Sequence, residues 1–152
     1  MQKITNLYDV LIVGAGPAGS NAAISYKKLN PELKVGLIDK SIFPRDKSCG
    51  DAIGPGVISA LKRFNNEHIL ENEPQVVSTT LYGPDNIGIQ NYIPKVKNKE
   101  DSIVYVIPRV DLDNRILSLA KDLDVDVFEG FSFNMFEDCL LYTSDAADDQ
   151  CC

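Results

Sequence analysis

Three glycines near the start of the chain are the first residues whose spacing could do chemistry. Residues 14–19 read Gly-Ala-Gly-Pro-Ala-Gly and fit the pattern G-x-G-x-x-G. In such a turn Gly14 permits the sharp change of direction, Gly16 lets a diphosphate approach the backbone, and Gly19 lets the next helix pack closely on the strand. The N-terminus of that helix presents free N–H groups to the anion. The motif therefore predicts a diphosphate-binding turn.

A carboxylate follows the glycine turn at the distance that a ribose contact requires. Asp39 lies 20 residues after Gly19, at the end of the next predicted strand, and at this separation an acid reaches the ribose hydroxyls of a dinucleotide. Asp39 favours an unphosphorylated ribose, as in NAD or FAD, over NADP, whose 2′-phosphate it would repel. The spacing does not separate NAD from FAD, and a glycine-rich turn without a ligand is the structural alternative.

The elements that must position these residues form a strand–helix–strand unit. Residues 8–13 are apolar and rich in branched side chains, which is typical of a strand buried on both faces. Residues 18–29 have apolar side chains at helical spacing and stop before Pro31, and residues 34–39 form the second strand. A right-handed crossover joins such strands in parallel. The predicted fold class is therefore α/β, with a Rossmann-like βαβ unit and a parallel sheet.

The rest of the chain leaves this sheet and then returns to it. Segments 75–82 and 87–92 are β-branched or aromatic and flank the turn residues 83–86, which predicts an antiparallel hairpin outside the parallel sheet. The remaining expectations are a loop over 41–56, a helix over 57–64 with Val57, Leu61 and Phe64 on one side, a strand over 102–107, a helix over 112–123 capped by Asp111, and a third parallel strand over 124–128.

Length, charge and composition limit the class of protein. The chain has 152 residues, which suggests one domain or part of a larger one, and its formal net charge of −7 argues against a nucleic-acid partner. No apolar run approaches the ~18 residues of a transmembrane segment, and the polar N-terminus lacks a signal-peptide pattern. We expect a cytoplasmic protein and leave peripheral contact with a membrane open.

Cysteine and histidine are too sparse for metal or hydrolytic chemistry. The four cysteines, at positions 49, 139, 151 and 152, show no C-x-x-C spacing, so no metal site is expected. His68, the only histidine, lies in a polar stretch that favours a surface position. No Ser-His-Asp, Cys-His or HExxH arrangement is present, and no catalytic residue is assigned.

The loop after Asp39 gives the sequence a family resemblance. Residues 43–52 read FPRDKSCGDA, residues 14–20 read GAGPAGS, and residues 108–113 read PRVDLD. Over residues 8–129 the chain resembles the N-terminal part of the geranylgeranyl reductase family. The resemblance implies the p-hydroxybenzoate-hydroxylase-like fold, FAD as cofactor, an isoprenoid lipid as substrate, and NADPH or another reductant as electron donor.

The resemblance also implies which residues contact the cofactor. From the pyrophosphate and ribose to the flavin end, these are Gly14, Gly16, Ala18, Gly19, Asp39, Cys49, Gly50, Ala52 and Arg109. The first four would hold the pyrophosphate, the aspartate the ribose, and the next three the flavin end. The planar guanidinium of Arg109 suits a phosphate or a flavin oxygen. The alternative is a surface arginine that pairs with Asp111 or Asp113.

Other residues of the loop keep several interpretations. Cys49 is a small apolar filler, a contact to FAD, or a reactive thiol whose pKa is lowered by Arg45 and Lys47. Arg45 and Lys47 are themselves solvated charges or contacts to a phosphate or a reductant. Asp51 is expected to cap free N–H groups at a helix start.

The C-terminal end differs in character from the rest of the chain. Residues 139–148, CLLYTSDAAD, resemble the conceptual translation of a transposon-type sequencing adapter. We therefore expect a truncated FAD-binding domain over 1–138 and a non-native tail over 139–152, with a genuine acidic C-terminus as the alternative. Three other functions stay open: an FAD-dependent monooxygenase or halogenase-like enzyme, an NAD-dependent dehydrogenase, and a fragment that is inactive alone.

Overall fold

A computed structural model describes residue 4, residues 6–92 and residues 104–133 of the chain. The described residues form three α-helices, seven strands and one 3₁₀ helix, which lies between the second and third α-helices. In chain order the elements are β1 (Val10–Val13), α1 (Pro17–Leu29), β2 (Val35–Asp39), β3 (Ala52–Ile53), α2 (Pro55–Arg63), the 3₁₀ helix (Glu67–Leu70), β4 (Ser78–Tyr82), β5 (Gly88–Tyr92), β6 (Tyr105–Val106), α3 (Arg109–Lys121) and β7 (Asp126–Glu129).

A three-stranded parallel sheet carries the fold. β2 lies in the middle, with β1 on one side and β7 on the other. Val10 is opposite Val35 in the first pair of strands, and Gly36 is opposite Asp126 in the second. β2 is buried along its whole length, which explains its continuous apolar run, because a central parallel strand is covered on both faces. The predicted α/β class with a parallel βαβ unit is confirmed.

The main core lies where α1 packs against the sheet and against α3. Ala23 and Ile24 of α1, Leu37 of β2 and Ile116 and Leu117 of α3 are fully buried there. Each large aliphatic side chain buried in this way stabilises the fold by about 1.5–3 kcal/mol. This packing fixes the first turn of α1 beside the carboxyl ends of β1 and β2.

The predicted hairpin is present and separate from the parallel sheet. β4 and β5 pair antiparallel, with Leu81 opposite Ile89, and the N–H of Gly83 donates to the carbonyl of Ile87 at 3.0 Å. Most side chains of both strands are exposed. The four-residue turn that the sequence indicated therefore forms without support from the main core.

The stretch 41–56, expected to be a loop throughout, contains a short strand and the start of a helix. β3 pairs antiparallel with β6, with Ala52 opposite Val106, and α2 already begins at Pro55. The expected inner side of this helix is wrong at Val57, which is exposed because it lies in the first turn on the solvent side. The buried side chains of α2 are Ile58 and Leu61.

The helix predicted over 112–123 begins earlier, at Arg109, directly after Pro108. Asp111 therefore lies within its first turn, and the expectation that Asp111 caps the helix is wrong. The N–H of Arg109 instead donates to the Asp51 carboxylate at 3.2 Å, so Asp51 accepts from a helix start as expected, but from that of α3 and not from that of α2, which follows it in sequence. This contact joins residues 58 positions apart, so it depends on the tertiary fold and not on the local sequence.

Some sequence expectations concern residues that lie partly or wholly outside the described part of the chain. The strand expected over 102–107 is seen as β6, and residues 102–103 lie outside the described part. The tail expected over 139–152 lies wholly outside it, and the division at residue 138 stays a prediction. Within the described residues, no helix has the length and apolar character needed to cross a membrane. The cytoplasmic location also stays a prediction.

Candidate functional site

The turn between β1 and α1 requires glycine at two positions for different physical reasons. Gly14 has φ +103°, a left-handed conformation that L side chains rarely adopt, and its N–H donates to the carbonyl of Ile38 at 2.7 Å. A Cβ on Gly19 would lie 1.8 Å from the carbonyl oxygen of Gly14. The first glycine permits the turn, and the last lets α1 approach it.

The N-terminus of α1 is open toward solvent and anions. Gly16 is the N-cap residue and Pro17 occupies the first helical position, with no side-chain cap and no acidic residue in the first turn. The first N–H groups of a helix have no intrahelical acceptor, so those of Ala18 and Gly19 remain available. A Cβ on Gly16 would have the Arg45 Nη2 atom as its nearest neighbour, at 3.4 Å.

Asp39 is held at the end of β2 by two backbone amides. The N–H of Ala15 donates to Oδ2 at 2.7 Å, and the N–H of Ser41 donates to Oδ1 at 2.8 Å. The residue is only 9% exposed, so its position is well defined. The hydrogen bond from Ala15 ties the carboxylate directly to the glycine turn. A carboxylate oxygen accepts more than one hydrogen bond, so both oxygens can still accept from a ligand hydroxyl.

One cleft of about 760 Å³ joins the glycine turn, Asp39 and the loop after β2. Six of the nine site residues named from the sequence line it: Gly14, Gly16, Ala18, Gly19, Asp39 and Arg109. The other lining residues are Val13, Pro17, Lys40, Ser41, Arg45, Asp46 and Lys47. The predicted turn and the predicted carboxylate therefore face the same space.

The charge of this cleft is opposite in sign to the charge of the chain. Four cationic side chains, Lys40, Arg45, Lys47 and Arg109, line it against two carboxylates, Asp39 and Asp46. The whole chain has a formal net charge of −7. Even after the buried Asp113, which pairs with Arg45 and Arg109, is counted, a positive excess remains beside a helix N-terminus, and this favours an anionic ligand such as a diphosphate.

Arg109 is held on the cleft wall by a buried partner. Its Nε and Nη2 atoms donate to the two oxygens of Asp113 at 2.7 and 2.9 Å, one helical turn away. The hydrogen bonds to Asp113 raise the pKa of Arg109 above its ordinary value. The pairing with Asp113 that the sequence left open is thus present, and the same arginine also lines the cleft.

The three residues expected at the flavin end lie beside this cleft and do not line it. Cys49 and Gly50 are exposed, and Ala52 is paired with Val106 in the β3–β6 ladder. Cys49 is connected to the cleft through Arg109. A backbone hydrogen bond at Asp51, and then a hydrogen bond with Arg109, lower the pKa of the Cys49 thiol.

A second, smaller cavity of about 330 Å³ adjoins the first at Asp39. Val13, Gly14, Asp39 and Lys40 line both cavities, and Phe131, Ser132 and Phe133, which follow β7, line the smaller one. Two aromatic side chains beside a ribose-type carboxylate give a surface suited to a flat ring. No local pattern in the sequence indicates these residues, because their position depends on the pairing of β7 with β2.

No protein-family model matches the chain, whereas curated relatives do, and two of them illustrate the likeness. Menaquinone reductase of Mycolicibacterium smegmatis is 34% identical over 114 residues, which cover 75% of this chain and 27% of the relative. Digeranylgeranylglycerophospholipid reductase of Picrophilus torridus is 30% identical over 122 residues, which cover 80% of this chain and 29% of the relative. The chain thus spans between a quarter and a third of the length of these relatives.

Solved structures extend the likeness to three dimensions. The flavin-dependent halogenase CmlS matches with a TM-score of 0.65 and 25% identity over 84% of this chain and 23% of its own. A geranylgeranyl bacteriochlorophyll reductase-like protein from Thermoplasma acidophilum matches with a TM-score of 0.62 and 28% identity over 81% of this chain and 30% of its own. The chain is similar to FAD-dependent enzymes. Both reductases and halogenases are among them, so the likeness does not select one reaction.

The sequence does not predict the burial of Asp113, whereas it leaves open a contact of Arg45 and Lys47 to a phosphate as one of two interpretations. Asp113 is fully buried, although charged residues on a helix are usually solvated. Arg45 and Lys47 line the cleft, where a bound phosphate would be within their reach. Arg109 and Asp113 are four residues apart, a spacing that pairs side chains on a helix, but the helix was predicted to begin only at residue 112 and begins at Arg109 in the structure. No local signal indicated how the loop would fold back.

Proposed function

We propose that this chain binds FAD through the ADP half of the cofactor, as part of an FAD-dependent oxidoreductase. The observation that carries the proposal is the convergence of the glycine turn, the start of α1 and Asp39 on one cationic cleft. The similarity to flavin-dependent proteins supports FAD over NAD at this site.

The pyrophosphate would lie against Gly14, Gly16, Ala18 and Gly19. The first turn of α1 offers N–H groups without acceptors, and no acidic side chain in that turn repels an anion. Arg45, 3.4 Å from the position of a Cβ on Gly16, lies close enough to add a charged donor. Backbone and side-chain donors would therefore share the phosphate oxygens.

The ribose and the adenine would follow in the direction of β7. Asp39 is already oriented by two backbone amides, so it can accept from ribose hydroxyls without reorganising. The cavity beside it, with Phe131 and Phe133, would receive the adenine ring. At the other end, Arg109 would reach back toward the cofactor, and Cys49, Gly50 and Ala52 would lie near the flavin.

The reaction we propose is the reduction of isoprenoid double bonds, with NADPH or another reductant as electron donor. Bound FAD supplies hydride-transfer chemistry, and the residues of this chain bind and orient it. Support comes from the FPRDKSCGDA loop of residues 43–52 and from the similarity to two proteins named for geranylgeranyl groups. A halogenase-like or monooxygenase reaction is the second candidate, favoured by the similarity to CmlS.

Titration of the purified full chain with FAD tests the cofactor proposal. We expect quenching of flavin fluorescence at saturable sites, and Asp39→Ala should weaken binding about tenfold or more, because charged hydrogen-bond acceptors contribute roughly 1.5–3 kcal/mol. Asp122→Ala is the matched control, since Asp122 is exposed at the end of α3. Failure of the folded wild-type chain to bind FAD, or equal binding by Asp39→Ala, would contradict the proposal.

A further inference from the structure

Asp113 is a fully buried carboxylate on α3, although charged side chains of helices are usually exposed to water. It is 0% exposed and lies on α3 among the apolar residues Leu112, Ile116 and Leu117. Burial of an unpaired carboxylate is strongly unfavourable, so its partners decide whether the chain tolerates it. Both of its partners among the described residues are arginines that line the cleft.

The two arginines approach Asp113 from different parts of the chain. Arg109, at the start of the same helix, donates to both carboxylate oxygens at 2.7 and 2.9 Å. Arg45, in the loop after β2, places its Nη2 atom 3.4 Å from Oδ2. Asp113 therefore connects α3 to a loop that is far away in sequence.

Arg45 extends this connection to the glycine turn. Its guanidinium lies 4.9 Å from the ring centre of Phe43, which is buried, so a cation–π contact holds it from one side while Asp113 holds it from another. Its Nη2 atom is also the nearest neighbour of a Cβ built on Gly16. The guanidinium is thus fixed over the place where a diphosphate would meet the backbone.

We propose that Asp113 is a positioning residue that holds Arg45 and Arg109 in place for the diphosphate of the cofactor. This inference rests on the proposed FAD function. Each guanidinium has five N–H donors, and the contacts with Asp113 use only one from Arg45 and two from Arg109. Two cations and one carboxylate leave one net positive charge. Because the two arginine side chains are already held in place before a ligand binds, the entropy cost of ordering them on binding is lower.

The experiment compares binding of ADP and AMP to the full chain by calorimetry, because their affinities differ through the second phosphate. We expect Asp113→Asn to weaken ADP and FAD about tenfold and AMP much less, since the isosteric amide no longer pairs with two arginines. Glu73→Gln is the matched control. This change breaks another ion pair of α3, in which Arg115 lies 2.6 Å from Glu73. It should leave the ratio of the affinity for ADP to the affinity for AMP unchanged.

A second variant keeps the test decisive if Asp113→Asn folds poorly. Arg45→Ala leaves the pair between Arg109 and Asp113 intact and should lower the ADP-to-AMP ratio in the same direction. The loss of ADP affinity in the double variant should then be smaller than the product of the two single fold-losses, because both substitutions disrupt the same contact between Arg45 and Asp113. A purely structural role would lower stability without changing the ratio.

The possible outcomes separate the two proposals. The positioning role would be overturned if the wild-type chain bound ADP and FAD but the ratio of ADP to AMP affinity stayed unchanged in Asp113→Asn or Arg45→Ala. The cofactor proposal would then remain intact. Absence of binding by the folded wild-type chain would overturn both.

Discussion

Two helices of this chain begin in the same way, and only one of them begins at the cleft. α1 starts with Gly16–Pro17 and α2 with Gly54–Pro55, and both lack a side-chain cap and an acidic residue in the first turn. Each has an extended N-cap glycine and basic residues in its last turn. By local sequence alone, both are equally suited to face an anion.

Their surroundings separate them. α1 follows a strand of the parallel sheet, and the neighbouring strand ends beside it at Asp39, so the carboxyl ends of two strands converge on its first turn. α2 follows a two-residue strand of an antiparallel pair. At the third helical position α1 has Gly19 against the Gly14 carbonyl, whereas α2 has Val57 exposed to solvent. A helix start becomes a candidate site through the sheet that positions it.

The largest expected effect is on the close approach of α1 to the turn. Gly19→Ala would place a Cβ 1.8 Å from a backbone oxygen, so the turn or the helix must shift. We expect a loss of about 3 kcal/mol or more in the free energy of unfolding, measured in urea.

Gly56→Ala is the control for this change in the other helix. A Cβ on Gly56 meets nothing within 4 Å, so this variant should gain about 0.5–1 kcal/mol because alanine favours a helix. Similar changes in the free energy of unfolding for the two substitutions would contradict the view that only α1 packs closely against the turn before it.

A smaller expected effect is on the reactivity of Cys49, which tests whether the positive charge of the cleft influences the segment before α2. Cys49 lies five residues before Gly54, and its thiol has a pKa below the ordinary 9.0, because of a backbone hydrogen bond at Asp51 and then Arg109. A lowered pKa gives thiolate at lower pH, so alkylation of Cys49 should rise at lower pH than that of N-acetylcysteine. Mass spectrometry of the Cys49 peptide would measure this profile.

Arg109→Gln should move the profile of Cys49 back toward higher pH without removing the contribution of the Asp51 backbone. An unchanged profile in this variant would show that the charge of Arg109 does not reach the thiol.

The parts of the site that sequence predicted are those with a local signature. The glycine turn, Asp39 and the parallel βαβ unit follow from spacing and periodicity, because each is fixed by residues close in the chain. The hairpin at residues 83–86 has its own turn residues and was also predicted.

What sequence missed depends on contacts between distant segments. Arg45 meets Asp113 only because the loop after β2 folds over the start of α3. β3 and β6 are each two residues long, too short for a periodic pattern. The burial of Asp113 is unusual for a charged residue, and its ion pairs with Arg45 and Arg109 account for it among the residues that the structure describes.

The most direct measurement of the central claim is FAD binding by Gly16→Ala and Gly54→Ala, the same substitution at the two matching helix starts. Both should fold, because a Cβ meets only the end of the Arg45 side chain at 3.4 Å in one case and nothing within 4 Å in the other. We expect Gly16→Ala to weaken FAD binding about tenfold or more, since the methyl group occupies the approach of the diphosphate, and Gly54→Ala to change it less than about twofold. Equal affinities of the two variants for FAD would contradict the assignment of the site to the start of α1.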